Sequence, residues 1–488
     1  MNSPMRPKPR RGLRPPPWAL ALVARYVPFA DAASPDLPLP RLLRLSLFQV
    51  AIGLATALLV GTLNRVMIVE LGVPAWWVAL SVALPLVFAP LRALIGYRSD
   101  THPSHLGLRR LPYLWMGGLL MFGGLAIMPF ALLLLSEATD ATLWVGRGGA
   151  ALAFLVVGAG LQITQTAGLA LASDVSPDDK RPRVVALLYA ALLVGLIAGS
   201  LLLGLLLAHF SPVRLIQVVQ GAAVLTLALN LMSLWKQEAR GQRRGDREAA
   251  GFARNWRRLM ALPRMRRFLW TVGLGTAAFA MQDVVLEPFG GEVLGLDVGL
   301  TSSLTALSAG GSLLAFMLSA RLAARGIDAC RLAAAGALLG LPAFACVIFS
   351  APLESATLFR IGAGLIGFSA GLFSVGMLLT AMDIPERELT GMVLGAWGAV
   401  QATAAGAAMA LGGVIRDVLG HLASAGGLGE TLATPATGYS VVFHFEIYLL
   451  FVVLVALGPL VRRRSSQAST QALATGGPRR LGLAELPG

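Results

Sequence analysis

Charge is scarce in this sequence and unevenly signed. Only 13% of its 488 residues are Asp, Glu, Lys or Arg, and 25 acidic residues stand against 40 basic ones. Soluble domains keep roughly a quarter of their residues charged, so the shortage argues against an ordinary globular fold. Cysteine is nearly absent. Cys330 and Cys346 fall in one apolar stretch, where their spacing along a helix is roughly 24 Å, too far for a disulfide. They read as buried apolar cysteines rather than redox or metal groups. No G-x-x-x-x-G-K-[ST] loop occurs, which disfavours an ATP-driven pump. No zinc spacing, basic heptad or aromatic-and-basic sheet pattern accompanies the net charge of +15, so nucleic acid is not an expected partner. Nucleophile-base pairs and metal-ligand spacings are missing too, and no enzyme is expected.

What the chain has instead is apolar mass: 56% of its residues are hydrophobic and the mean hydropathy is +0.72. These residues fall into blocks of about 20, the length that crosses roughly 30 Å of hydrocarbon as a helix. The pattern predicts twelve spans, at 45–68, 75–97, 112–135, 148–171, 184–208, 213–235, 268–288, 299–320, 329–350, 357–380, 390–414 and 440–461. Of the 40 Lys and Arg, 34 lie in the tails and even-numbered loops. Four, Arg147, Arg214, Arg360 and Arg416, lie on the odd-numbered side. The positive-inside rule then puts both termini in the cytoplasm of a bacterial inner-membrane protein. Trp76, Trp77, Trp115, Trp235 and Trp270 sit near span ends as expected interfacial anchors, whereas Trp397 lies deeper.

A duplication is visible at an offset of a little over two hundred residues. "ALASDVSPDDKRPR" and "LLTAMDIPERELTG" place Asp174 and Asp383 at equivalent helix exits, and Glu70-Leu-Gly is echoed by Glu292-Val-Leu-Gly. The expected organisation is a cytoplasmic tail with an interfacial segment (1–44), a six-helix half (45–235), a basic linker (236–267), a second six-helix half (268–461) and a disordered tail (462–488). The fold class is an all-α membrane protein of two six-helix halves, as in the major facilitator superfamily. Between the halves, the stretch with eleven basic residues reads first as a linker, with a membrane-surface or partner-docking segment as the alternative. Glycine pairs Gly195/Gly199, Gly367/Gly371 and Gly391/Gly395 suit helix contact.

Three groups of polar residues stand out. Gly96, Asp100, Arg109 and Arg110 in "GYRSDTHPSHLGLRRLPY" resemble the superfamily's latch between spans two and three, with its spacing stretched and Thr101 where an arginine is usual. Charges inside a membrane cost about 2.5–3.5 kcal/mol each, so those retained mark candidate sites. They include Asn64 and Arg65 late in span one and, in span seven, Asp283 and Glu287, which at i,i+4 share one helical face; the duplication relates the two spans. The expectation is an ion pair from Arg65 to one of these acids across the halves, either functional or purely structural. Gln162 and Gln165 in span four, Gln282 in span seven and Gln401 in span eleven supply amides.

Four long segments are more specific: "DLPLPRLLRLSLFQVAIGLATALLVGTLNRVMIVELGVP", "ALIGYRSDTHPSHLGLRRLPYLW", "ALASDVSPDDKRPRVVALLY" and "QDVVLEPFGGEVLG". In this order they closely resemble the PucC/LhaA family of light-harvesting complex assembly proteins of purple photosynthetic bacteria, a bacteriochlorophyll-delivery branch of the superfamily. The resemblance runs from about Pro28 to Arg464. It implies assembly of antenna complexes in the photosynthetic intracytoplasmic membrane, with antenna apoproteins and pigment-synthesis or membrane-insertion machinery as partners and bacteriochlorophyll as cargo or ligand. A chlorin magnesium takes an axial imidazole, amide or water. Gln162, Gln165, Gln282, Gln401 and His444 are therefore the candidate pigment contacts; His209 is a weaker one, and His102, His105 and His421 lie outside the hydrocarbon. A facilitator or proton-coupled exporter of a small amphipathic solute is the alternative.

Overall fold

The computed structural model describes residues 37–88, 110–136, 140–177, 181–235, 237, 252–262, 264–382, 390–427 and 429–474. Among these the regular structure is entirely helical, with eleven helices long and apolar enough to cross a membrane. In chain order, span one is Leu39–Glu70, span three Leu111–Ser136, span four Asp140–Val175, span five Arg181–Leu206 and span six Pro212–Leu234. Span seven is Met265–Glu292, span eight Val298–Ala324, span nine Ala329–Ser350, span ten Ala356–Met382, span eleven Thr390–Ser424 and span twelve Ala436–Ala474. The expected second span is seen as an α-helix, Ala75–Ala83, that tightens into a 3₁₀ turn at Leu84–Phe88, where Pro85 supplies no amide hydrogen. Its continuation lies outside the described residues.

Several helices overrun the expected boundaries. Span one starts at Leu39, span four at Asp140, and span eleven continues to Ser424. Hydropathy registers only the stretch inside hydrocarbon, whereas the helical hydrogen bonds continue into the headgroup layer. The tail expected to be disordered from 462 is helical as far as Ala474, and the linker contains a short helix, Phe252–Ala261. In that helix Trp256, Arg257 and Arg258 are exposed while Leu259 is fully buried against the second half.

Two packing chemistries hold the helices together. In the second half, Phe289 sits among Phe359, Tyr439 and Phe443, with ring centroids 5.3, 5.6 and 5.5 Å away. Such contacts add about 0.5–1.5 kcal/mol each beyond burial. Close helix contact elsewhere depends on glycine. A Cβ on Gly195 would lie 2.4 Å from the Val50 carbonyl oxygen, and one on Gly367 only 1.9 Å from that of Ser308. The first pair thus joins spans one and five and the second spans eight and ten. Gly395 is different: nothing lies within 4 Å of a Cβ there, so its expected contact role is not what the structure shows. Among the tryptophans, Trp76, Trp115, Trp235 and Trp270 are exposed, but Trp77 is buried in the first half.

The duplication is clearest at the end of the bundle opposite the start of span one, called here the far end. Span one finishes at Glu70 and span seven at Glu292, and each is followed by a glycine in the left-handed region, Gly72 at φ +61° and Gly295 at φ +64°. Both glutamates form ion pairs, Glu70 with Arg65 at 2.6 Å and Glu292 with Arg416.

Candidate functional site

A proline in span seven and a glycine in span one shape the junction between the halves. Pro288 has no amide hydrogen, so the carbonyl of Val284 one turn back lacks its helical donor. Asn64 of span one fills that role, its Nδ2 donating to the Val284 oxygen at 2.8 Å. Span one is itself loosened here, with wide π turns over Ala57–Leu63 and Val66–Glu70, a distortion that often accompanies functional sites. Gly61 allows the approach: a Cβ there would fall 2.8 Å from a carboxylate oxygen of Glu287.

The expected ion pair from Arg65 to Asp283 or Glu287 is corrected by the structure. Arg65 is buried, pairs with Glu70 five residues on, and donates from Nη2 to the Leu296 carbonyl at 3.1 Å. Glu287 instead accepts from the Thr305 hydroxyl, and Asp283 from the side chain of its neighbour Gln282. A nearer carboxylate on the same helical segment wins the guanidinium, which still crosses to the second half through a backbone oxygen.

Farther out, Arg416 donates to Glu292, to the Tyr439 hydroxyl at 2.8 Å and to Asp417 at 2.7 Å, and stacks over the Tyr439 ring at 4.7 Å. Asp417 also accepts the backbone N–H of Trp76 at 2.7 Å, tying span eleven to the start of the second span. These charges, with Thr62–Ser302 at 3.3 Å, make the far end a cross-linked seam.

At mid-membrane the halves separate around a cavity of about 540 Å³. Gln162, Gln165, Gln282 and Gln401 all line it, with Asp283 and Trp397. Four amides from three spans in both halves therefore converge. Aromatic rings of Phe279, Phe316 and Phe373 supply much of the apolar wall, and no Lys, Arg or His is among the described residues that line it. Gln162 is buried with Oε1 lacking a hydrogen-bond partner. His444 is not part of this set: it lies on the outward face of span twelve, with Nδ1 2.7 Å from the Ser440 carbonyl. His209 lies in the turn after span five, where its carbonyl accepts from Arg214 at 3.1 Å.

Of the latch residues, Gly96, Asp100 and Arg109 lie outside the described residues, as does Asp383. Arg110 is described and buried, and its Nε is 3.2 Å from Asp174 at the exit of span four. Two residues singled out for separate motifs thus meet at the end where span one begins.

The sequence reading overlooked Glu446. Fully buried in span twelve, it accepts the backbone N–H of Gln282 at 2.7 Å, where span seven is interrupted at Met281. An acid inside the run "VVFHFEIYLLFVV" is the same signal that marked Asp283 and could have found it.

Comparison with known proteins gives the chain its relatives. The family model described as PUCC protein matches residues 62–465. A Protein PucC from Rhodovulum sulfidophilum is 53% identical over 403 residues, covering 81% of this chain and 89% of that protein. A Rhodobacter capsulatus protein described as uncharacterised, from the puhA-bchM intergenic region, is 50% identical over 471 residues, covering 96% of this chain and 98% of that one. Among solved structures, the nucleoside transporter NupG superposes with a TM-score of 0.64 at 14% identity, over 85% of this chain and 99% of the transporter. That likeness shows the major facilitator fold and, at such identity, the fold alone.

Proposed function

The chain belongs to the PucC protein family, and from that premise we propose that it assists assembly of light-harvesting antenna complexes, holding bacteriochlorophyll in the mid-membrane cavity. The observation that carries this reading is the convergence of Gln162, Gln165, Gln282 and Gln401 on a space walled in part by aromatic rings, with no cationic side chain among the described residues that line it. The cavity volume is within the range of about 300–1,000 Å³ common for small-molecule sites. Amide N–H groups suit the carbonyls of a chlorin, and an amide oxygen suits the open axial position of its magnesium. The partly unsatisfied Gln162 agrees with a cavity built for a ligand that brings its own polar groups. When bound, the pigment supplies the absorbing macrocycle; the chain's residues orient it and keep it from water.

Antenna apoproteins and pigment-synthesis or insertion machinery would be the partners, reached through the bilayer of the bacterial inner membrane. Both termini lie on its cytoplasmic side in this reading, as the distribution of Lys and Arg supports. No catalytic step is assigned. The second reading, a facilitator or proton-coupled exporter, is favoured by one observation: Asp283 lines the cavity and Glu446 lies against the same interruption in span seven.

The test is direct. The protein purified from a bacteriochlorophyll-producing host should carry near-infrared absorbance, and a deletion strain should lose antenna complexes. A colourless, monodisperse preparation with normal antenna levels in the deletion strain would end the pigment reading.

A further inference from the structure

His444 sits where a histidine is hard to explain by packing. It is exposed on span twelve together with Val441, Phe445, Tyr448, Phe451 and Val455, which are 37%, 39%, 66%, 52% and 78% exposed. Their spacing of three and four residues puts them on one helical face. Since the span is apolar over Ala436–Val461, this face meets acyl chains. His444 is eight residues in from Ala436, roughly 12 Å along the axis. A span of this length exceeds a hydrocarbon core of about 30 Å by only a few ångströms at each end. The ring therefore lies below the headgroup level.

Its hydrogen bond fixes what it presents there. Nδ1 lies 2.7 Å from the carbonyl oxygen of Ser440. A carbonyl only accepts, so Nδ1 carries the hydrogen, and in that tautomer Nε2 presents a lone pair on the other side of the ring. Metal-ligating histidines are held in this manner, one nitrogen donating to a carbonyl and the other free to coordinate. Acyl chains provide no donor for that lone pair, and an unsatisfied polar atom in hydrocarbon is costly.

A partner for Nε2 in the membrane must either donate a hydrogen bond or accept an electron pair. A quinone or other carbonyl compound fails, because it too only accepts. A magnesium tetrapyrrole with an open axial position satisfies Nε2, and the stripe from His444 to Val455, roughly 16 Å long, gives its hydrocarbon tail an apolar lane. We propose that His444 Nε2 is the axial ligand of a magnesium tetrapyrrole docked on the lipid-facing side of span twelve, a second site separate from the cavity. The site rests on the pigment-handling reading given above. It places one pigment in reach of partners that approach sideways through the bilayer.

The test uses the full chain in lipid nanodiscs, titrated with bacteriochlorophyll a and, separately, with magnesium-free bacteriopheophytin a. Pigment per chain is counted from near-infrared absorbance, and resonance Raman ring modes report axial ligation. One class of sites in the wild type should require magnesium. H444L should weaken that class at least tenfold with its thermal unfolding unchanged, since the imidazole is exposed and its hydrogen bond stays within its own helix. H444G should lose the same sites and recover the Raman signature on addition of imidazole. Replacing Gln162 and Gln401 by leucine should leave the His444 class intact. If H444L keeps wild-type stoichiometry, affinity and ring modes, or if the magnesium-free pigment fills every site equally, the surface site is overturned while the cavity reading stands. If the wild type takes up neither pigment, the pigment reading fails and this inference with it.

Discussion

At the far end of the bundle, Arg65 meets Glu70 at 2.6 Å and the Leu296 carbonyl at 3.1 Å, and Arg416 engages Glu292, Tyr439 and Asp417 together. In the cavity below, Gln162 keeps an unpartnered Oε1, and four glutamines share a wall with phenylalanines and Trp397. Both regions place polar groups between the halves of one membrane protein, at sites where desolvation makes each of them costly. At the far end charge is matched to charge and backbone to side chain, so the halves are held. In the cavity the glutamines carry no charge, and the halves stand apart around a space lined by residues of both, Asp283 among them. The contrast teaches that polar residues within spans have two settings here: ion pairs and backbone contacts that tie the halves together, and amides that line the space between them.

The comparison breaks most severely at Arg65. Arg65→Leu leaves Glu70 without its cation and the Leu296 carbonyl without its donor, a loss of about 3 kcal/mol that thermal unfolding in detergent should register. Exchanging the charges, Arg65→Glu with Glu70→Arg, should recover much of that loss, whereas Arg65→Glu with Asp283→Arg should not. Recovery by the second pair alone would restore the ion pair expected from sequence and remove the one described here.

Smaller effects sharpen the same contrast. Asn64→Leu orphans the Val284 carbonyl that Pro288 cannot satisfy, for about 1–2 kcal/mol. The double variant Asn64→Leu with Pro288→Ala should cost less than Asn64→Leu alone, because alanine returns a helical donor to that oxygen. At the gentle end, Gln162→Leu should change unfolding by less than about 1 kcal/mol, since it removes an already unsatisfied oxygen. A large loss of stability there would mean that the glutamine belongs to the packing and not to a receptive wall.

Much of this was legible in the sequence. Blocks of apolar residues gave the spans, and the rarity of polar groups inside them singled out Gln162, Gln165, Gln282 and Gln401, which the fold brings to one cavity. The endings Glu70-Leu-Gly of span one and Glu292-Val-Leu-Gly of span seven were visible as words, although not that each glutamate would hold an arginine. Partner choice was the part that could not be read. Arg65 has acids within reach on two helices, and only the wide turns of span one bring Glu70 to its guanidinium. Arg110 and Asp174 were noticed separately because they are 64 residues apart in the chain and meet only through the packing of spans three and four. Glu446 was missed although it obeys the same rule as Asp283, and the interruption at Met281 that it caps leaves no mark in composition.

The central claim is that the cavity, not the seam, receives the pigment. The measurement that tests it most directly compares pigment content and thermal unfolding for two variants purified from a bacteriochlorophyll-producing host: Gln162, Gln165 and Gln401 all replaced by leucine, and Arg416→Lys at the far end. The account predicts that the first loses the cavity-bound near-infrared absorbance while unfolding near the wild-type temperature, and that the second keeps its pigment while unfolding lower. Full pigment in the first, with its spectrum unchanged, would contradict it.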